Sequence, residues 1–168
     1  MVRSRTKDPL QQYRFQVDFS ELPDDFDNNN GNDYGFVSIS GLETEIDTIE
    51  YRDGSMDVVH KIPGIKRGGT ATFEKGYVPD DEEEGGIIEE LHEAAKDEDE
   101  DAFRCTITIK EKDSSGTTKR THELEEAWVS RYQRPDMDAS SSEIAIEVME
   151  VEYEDIETKQ PEDDDNGQ

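Results

Sequence analysis

Alternation of apolar and polar residues, repeated along the chain, is the feature that most restricts the fold. The segment from Tyr13 to Phe19 carries an aromatic or aliphatic side chain at every second position. The segment from Phe103 to Lys110 repeats this pattern and includes Cys105 among its apolar members. Successive side chains of a β-strand point to opposite faces, so this alternation predicts strands with one buried face. Cys105 is accordingly predicted to be a small core residue.

Further strands are predicted between clusters of Gly, Pro, Asn and Asp, which favour turns. They cover Phe36 to Ser40, Thr44 to Tyr51, Asp57 to Ile62, Thr70 to Val78 and Lys119 to Val129.

Near the C-terminus the apolar phase shifts by one residue. Ile144, Ile146 and Val148 share one phase, and Met149, Val151 and Tyr153 share the other. The shift predicts either a β-bulge at Val148 and Met149 or a strand that is buried on both faces.

A single amphipathic helix is predicted after Gly85-Gly86, because apolar residues there recur at helical spacing. These residues are Ile87, Ile88, Leu91, Ala94 and Ala95. The predicted fold is therefore mainly β, an antiparallel sandwich or small barrel with one flanking α-helix. We expect a single domain over residues 1–160, followed by an acidic disordered tail over residues 161–168.

Acidic residues dominate the composition: 45 Asp and Glu face 18 Lys and Arg, for a formal net charge of -27. Such a charge repels nucleic-acid backbones and anionic membranes, and no apolar stretch approaches the length that spans a bilayer. We therefore expect no specific binding of DNA and no membrane insertion. The acidity and the small aliphatic content resemble proteins of salt-loving microbes, in which molar salt screens the repulsion within about 3 Å. A halophilic origin is therefore predicted.

Catalytic and metal-binding signatures are absent from the sequence, which has no G-x-S-x-G, no Walker A loop and no H-E-x-x-H. The Asp25, Asp27 and Asn29 spacing resembles an EF-hand, but Phe36 stands where the closing Glu belongs. We predict no catalytic residue, no metal and no cofactor. A hydrolase that uses scattered carboxylates is the least favoured function.

One stretch departs from the acidic background: the 16 residues from Val58 to Phe73 contain no Asp or Glu. His60, Lys61, Lys66 and Arg67 lie within it. Two interpretations stay open. The basic residues either pair with acidic neighbours in their own hairpin, or they meet an acidic surface on another copy of the chain.

The order of several short motifs resembles the tail tube proteins of contractile phage tails and related contractile injection systems. The motifs span roughly residues 8 to 156: Asp8-Pro9-Leu10, Tyr13-Arg14-Phe15, Gly35-Phe36, Ser40-Gly41-Leu42-Glu43, Glu50-Tyr51-Arg52-Asp53-Gly54, Lys61-Ile62-Pro63-Gly64, Lys75-Gly76, Ala127-Trp128, Arg131-Tyr132, Pro135 and the run from Asp138 to Glu147.

The resemblance implies a structural protein whose hexameric rings stack into a tube with a continuous inner β-barrel. It implies that the chain binds further copies of itself, a contractile sheath, baseplate or hub proteins and a tail terminator. DNA or protein cargo would pass through the lumen. It also implies assembly in the host cytoplasm, as part of a virion tail or an injection particle.

Two sets of residues follow from the resemblance. The inter-ring stacking arm would comprise Glu50, Tyr51, Arg52, Asp53, Gly54, His60, Lys61, Ile62, Pro63, Gly64, Lys66 and Arg67. In it, Gly54 and Gly64 are expected to permit turns and Pro63 to stiffen the bend. The core motif would comprise Tyr13, Phe15, Phe36, Trp128, Ile144 and Ile146. The alternatives are a tube-initiator or hub-proximal protein of the same fold, and a monomeric acidic β-barrel that acts as a binding or adaptor protein.

Overall fold

A computed structural model describes residues 14–22, 35–52, 54, 57–76, 86–96, 103–136 and 144–160. The predictions made for Tyr13, Asp53, the EF-hand-like segment and the tail 161–168 lie outside these ranges. In chain order the elements are β1 (Phe15–Ser20), β2 (Phe36–Ser40), β3 (Glu45–Tyr51), β4 (His60–Arg67), β5 (Thr70–Gly76), α1 (Gly86–Lys96), β6 (Cys105–Lys112), β7 (Thr118–Gln133), β8 (Ile146–Glu152) and β9 (Asp155–Lys159). The predicted class, mainly antiparallel β with one flanking helix, is confirmed.

The main sheet runs in the order β1-β6-β7-β8-β5-β2, and β9 also pairs with β7. The long strand β7 takes part in both halves of this sheet. Its residues 118–127 pair with β6, its residues 121–125 also pair with β9, and its residues 128–133 pair with β8. One continuous strand therefore connects the β1-β6-β9 half with the β8-β5-β2 half.

The bend in β7 lies at Glu126, whose backbone adopts a φ of 51°. Cys105 pairs with Ala127 while Ile107 pairs with Leu124, so β7 contains one residue more than β6 at this point. Such a bulge increases the local twist and redirects the strand. The Arg104 guanidinium stabilises the bend, since its Nη1 lies 2.9 Å from Glu154 Oε1 and 3.7 Å from Glu126 Oε2.

The core lies between the two halves of the sheet and is closed on one side by α1. The first half contributes residues such as Val17, Phe19 and Ile107, and the second contributes Phe73 and Met149, all at most 2% exposed. The helix adds Ile88 and Leu91, both essentially buried, which confirms the predicted amphipathic helix. Among the described residues, no helix is both long and apolar enough to cross a membrane.

Strand β8 resolves the shift in apolar phase. It pairs with β5 in unbroken register, so the predicted bulge at Val148 and Met149 is wrong. The core phase continues through Glu147, which is 3% exposed, to Met149 and Val151. The phase seemed to slip because a charged residue occupies a core position, and because Ile146 and Val148 point to the outer face of the strand.

Glu147 is accommodated in the core by two partners. Its carboxylate lies 3.9 Å from the Lys75 ammonium, on the facing strand, and accepts a hydrogen bond of 2.8 Å from the Tyr132 hydroxyl. Burial and the neighbouring carboxylate raise the pKa of Tyr132 well above its ordinary value. The three side chains satisfy each other's polar groups where an isolated charge would be costly.

Candidate assembly interface

Strands β3 and β4 form a separate two-stranded sheet, which we call the arm. Thr48, Ile49 and Glu50 of β3 face Pro63, Ile62 and Lys61 of β4, and Tyr51 faces His60. A two-stranded sheet has no core of its own and is at best marginally stable by itself. The arm therefore depends on what its ends and its faces contact.

Apolar side chains are exposed along the whole arm, at 45 to 70% of their full accessible surface. They are Ile46, Ile49, Tyr51, Ile62 and Ile65 of the two strands, with Val58 and Val59 of the connection between them. Single exposed apolar residues are ordinary, but a contiguous set on one element indicates a surface that another molecule covers. In a chain with a net charge of -27 such a set is an even clearer exception.

Both faces of the arm carry these residues. Ile49 and Ile62 lie directly opposite each other and point to one face, together with Tyr51 two residues further along. Ile46, which pairs with Lys66, points to the other face. Covering the arm on one side alone would leave apolar surface in water on the other side.

The base of the arm is fastened to the main sheet by Tyr153, which directly follows β8. Its hydroxyl oxygen accepts a hydrogen bond of 2.9 Å from the Glu43 backbone N–H and lies 2.7 Å from the Glu43 carbonyl oxygen. Desolvation raises the pKa of this phenol, so it remains protonated and able to donate. Tyr153 thereby contacts both polar backbone groups of Glu43, which lies in the loop that leads into β3.

Gly68 and Gly69, between β4 and β5, allow the close approach that this attachment requires. A Cβ on Gly68 would lie 1.7 Å from the Tyr153 carbonyl oxygen, and one on Gly69 would lie 2.7 Å from the Tyr153 hydroxyl oxygen. No side chain fits at Gly68 without displacing the backbone of the main sheet.

The basic residues of the arm pair within their own subunit. Lys61 lies 3.6 Å from Glu50, Arg67 donates to Asp47 at 2.8 Å, and Lys66 pairs with Asp155 of β9. The Lys66 ammonium lowers the pKa of Asp155, and the hydrogen bond to Asp47 raises the pKa of Arg67. All these side chains are substantially exposed, which makes the pairs weak. Lys61 and Arg67 therefore pair within their own hairpin, as the first interpretation expected, whereas Lys66 pairs with the main sheet.

Pro63 and Gly64 do not form a turn, and the expectation for them was wrong. Both lie within β4, which extends to Arg67 and beyond the predicted end at Ile62. The register shifts there, so β4 contains an extra residue opposite Ile46 and Thr48. Proline is tolerated at such an irregular edge position because its missing N–H removes no required ladder hydrogen bond. Gly54 lies in the exposed connection between β3 and β4, after the exposed Arg52.

The predicted core motif divides into two groups. Phe15 and Phe36 pack against the core, and the Phe36 ring meets Phe73 edge-on at 5.3 Å. Trp128 is half-buried and packs edge-on against Phe103 at 5.8 Å. Ile146 is half-buried, whereas Ile144 is 79% exposed and its prediction as a core residue was wrong. Ile144 precedes β8 in the outer phase, opposite the side that faces the core.

The described residues contain no cluster of three or more His, Cys, Asp or Glu side chains arranged to hold a metal ion. Burial raises the pKa of Cys105 to about 12, so the thiol is not a nucleophile near neutral pH. His92 contacts the Val129 carbonyl oxygen at 3.2 Å, and His122 lies between Thr158 and Glu111. These histidines have structural contacts in separate elements. The apolar arm is therefore the feature that most needs a functional explanation.

Comparison with known proteins identifies similar chains over nearly the whole length. The family model described as T4-like virus tail tube protein gp19 matches residues 11–157. No curated protein matches the sequence significantly.

Among solved structures, a chain in the sheath–tube complex of the extracellular contractile injection system PVC, in the extended state, is 25% identical. It covers 95% of this chain and 99% of that chain, with a TM-score of 0.73. A chain in the PVC sheath/tube terminator is 26% identical and covers 91% and 98%, with a TM-score of 0.71. A chain in the tube-terminating cap of the anti-feeding prophage has the same fold at 24% identity, with 95% and 96% covered and a TM-score of 0.73.

Proposed function

Because the chain belongs to the family of the T4-like virus tail tube protein gp19, we propose that it is the inner-tube subunit of a contractile tail or contractile injection particle. Its role is mechanical: copies form hexameric rings, and the rings stack into a hollow conduit. The exposed apolar arm is the observation that carries this proposal, because such a surface on an acidic chain requires a protein partner.

In this proposal the arm is the inter-ring contact, which is the role that the resemblance implied for the segment from Glu50 to Arg67. Its apolar side chains, more than its basic ones, supply the association energy, since the basic residues already have partners in their own subunit. Burying apolar surface yields roughly 25 cal/mol per Å². An exposed ion pair contributes at most about 1 kcal/mol.

Closure into rings also suits the edges of the main sheet. Within the described strands, β1 and β2 end the path of paired strands and leave backbone donors and acceptors for another chain. Pairing with neighbours around a ring removes such edges, and the strands of all subunits together form one inner barrel.

The charge of -27 suits both the conduit and its surroundings. An acidic lumen repels DNA and acidic proteins, so such cargo passes through without binding. We extend the proposal to a halophilic source, in which concentrated salt screens repulsion between stacked subunits.

The partners follow from the similar structures, which include a sheath–tube complex, a tube-terminating cap and a baseplate. For this chain we propose the corresponding sheath, terminator and baseplate or hub proteins. The subunit assembles in the host cytoplasm and then forms part of a virion tail or an extracellular injection particle.

Electron microscopy of the purified full chain in concentrated salt tests the proposal. Hollow tubes of uniform diameter, or rings that stack as protein concentration rises, are expected. A monodisperse monomer at every salt and protein concentration would contradict the tube and favour the monomeric adaptor. Growth of sheath around the tubes after addition of a contractile sheath protein from the same source would extend the assignment to the contractile machine.

A further inference from the structure

A second apolar surface lies on the outer face of the main sheet. Glu147 and Met149 of β8 point into the core, so Ile146 and Val148 point to the opposite face. Ile144 precedes them in the same phase and is 79% exposed. Strand β5 pairs with β8 here and contributes Gly76 opposite Ile146. Because glycine has no side chain, nothing separates the backbone of Gly76 from Ile144.

Strand β2 adds a further exposed apolar residue at the same end of the sheet. Val37 is 61% exposed and is the extra residue of a bulge, between Phe36, which pairs with Lys75, and Ser38, which pairs with Glu74. We call Val37, Ile144, Ile146 and Val148 the outer patch. Ile146 and Val148 are half-buried, whereas Val37 and Ile144 are exposed, so packing within the subunit covers the outer patch only in part.

The outer patch and the arm lie at opposite ends of β5. Thr70 begins β5 directly after the arm and its two glycines, whereas Gly76, beside Ile144, ends it. A strand of this length spans about 20 Å. One subunit therefore carries the arm near one end of β5 and the outer patch near the other end.

Charge also matches between the two surfaces. Glu74 borders the outer patch, opposite Val148 and hydrogen-bonded to Ser38. The arm has Lys61 next to Ile62, with a side chain 68% exposed and only a 3.6 Å contact to Glu50. Strand β4 of the arm belongs to the stretch without acidic residues, so this strand approaches Glu74 with less repulsion than β3, which carries Glu45, Asp47 and Glu50.

We infer that the outer patch is the acceptor for the arm of a second copy of this chain. The inference rests on the proposed tube and specifies which surface of the next ring the arm meets. Contact between two different surfaces at opposite ends is heterologous and does not close on itself along that direction. Each added ring consequently presents a fresh patch, and the tube lengthens without a built-in stop.

Cysteine cross-linking tests the contact directly. We would prepare Ile62→Cys and Ile49→Cys as separate arm variants and, as separate patch variants, Val37→Cys, Ile144→Cys and Ile146→Cys. The native Cys105 stays in place because it is buried and its pKa is about 12. Each patch variant is mixed with each arm variant under assembly conditions, oxidised, blocked with N-ethylmaleimide and run on a non-reducing gel.

At least one mixture should give a linked dimer at ten-fold or more the yield of either variant alone. Ser114→Cys, in the exposed turn between β6 and β7, serves as the matched control and should give no linked dimer with Ile62→Cys. If wild-type tubes form but no patch cysteine links to Ile62→Cys or to Ile49→Cys, the acceptor is wrong while the tube remains. If no tubes or rings form, the proposed function itself fails.

A mixing experiment gives an independent result. Rings of Ile62→Asp lose the arm contact but keep the patch, and rings of Ile144→Asp lose the patch but keep the arm. Each alone should remain unstacked, whereas the mixture should give stacks of two rings and nothing longer. Long tubes from Ile144→Asp alone would overturn the inference, because the exposed residue it changes would then be irrelevant to stacking.

Discussion

The hydroxyl oxygen of Tyr153 lies within hydrogen-bonding distance of both the backbone nitrogen and the carbonyl oxygen of Glu43, at 2.9 and 2.7 Å. A single side chain directly after β8 thus holds the loop through which the arm leaves the body of the protein.

Replacing Tyr153 with Phe should loosen the arm and leave the body intact. The Glu43 N–H would lose its partner, which costs about 1 kcal/mol. We expect faster amide hydrogen exchange in β3 and β4, by roughly five-fold for that energy, and unchanged exchange in β5 and β8. Equal exchange in the variant and the wild type would show that Lys66 and Asp155 suffice to hold the arm.

Replacing Lys75 with Met should destabilise the fold strongly. The Glu147 carboxylate would stay buried without its cationic partner, which costs about 3 kcal/mol or more. The double variant Lys75→Met/Glu147→Met should recover most of the loss. Chemical denaturation at constant high salt measures both. A double variant less stable than Lys75→Met would mean that Glu147 has a role beyond matching that lysine.

Changing Ile62 to Asp should abolish stacking without unfolding the subunit. Ile62 is 49% exposed, so the fold loses little, whereas a charge in the stacking contact opposes association. Circular dichroism should be unchanged and electron microscopy should show rings without tubes. Ser114→Asp adds the same charge in an exposed turn and should assemble normally. Normal tubes from Ile62→Asp would remove the arm from the stacking contact.

Dilution of salt should weaken assembly first and the fold second. A net charge of -27 is screened within about 3 Å at 1 M salt but acts over about 10 Å at 0.1 M. Light scattering and circular dichroism across a salt series would follow the two transitions. Unchanged particle size and structure at low salt would exclude the halophilic origin as an explanation of the charge.

The turn between β6 and β7 should resist acid. Asp113 accepts hydrogen bonds from the Ser115 hydroxyl and from the backbone N–H groups of Ser115 and Thr117. These bonds lower its pKa to about 2 from an ordinary value of 3.8. Because the folded pKa is the lower one, this stabilisation is complete above pH 3.8 and is lost as the pH falls through about 2.

Carboxyl NMR titration measures that pKa. Ser115→Ala removes the largest contribution and should move the value upward. An Asp113 titration near 3.8 in the wild type would contradict the hydrogen bonds of the turn.

Residue alternation was sufficient to predict most of the body. β1, β5, β6 and β8 have one apolar face, and the spacing of Ile88 and Leu91 indicated the helix. Strand β9 was not predicted from the sequence, because Ile156 is its only apolar residue and no alternation is visible. The strand forms through its pairing with β7, which a local pattern does not show. Glu147 was missed as a core residue because charged side chains are rarely buried, and nothing in the local sequence shows that Lys75 lies opposite.

The arm illustrates a different limit. Its basic residues stand out in the sequence, and Lys61 and Arg67 have partners within the arm. Lys66 meets Asp155 of β9, and a local sequence pattern does not reveal a contact between residues so far apart in the chain. Its apolar residues do not stand out in the sequence, because the same alternation is typical of an ordinary half-buried strand. Only the burial of each side chain distinguishes the two cases.

In the proposed tube, the passage of β7 through both halves of the sheet bears on how a subunit carries mechanical load. Residues 118–127 and 128–133 form one continuous strand that pairs with both halves, so we expect the two halves to unfold together. We expect force applied at either end of β7 to be shared among the hydrogen bonds of both halves. The subunit should accordingly yield in one abrupt step when stretched, and below that load it should transmit thrust as a stiff strut.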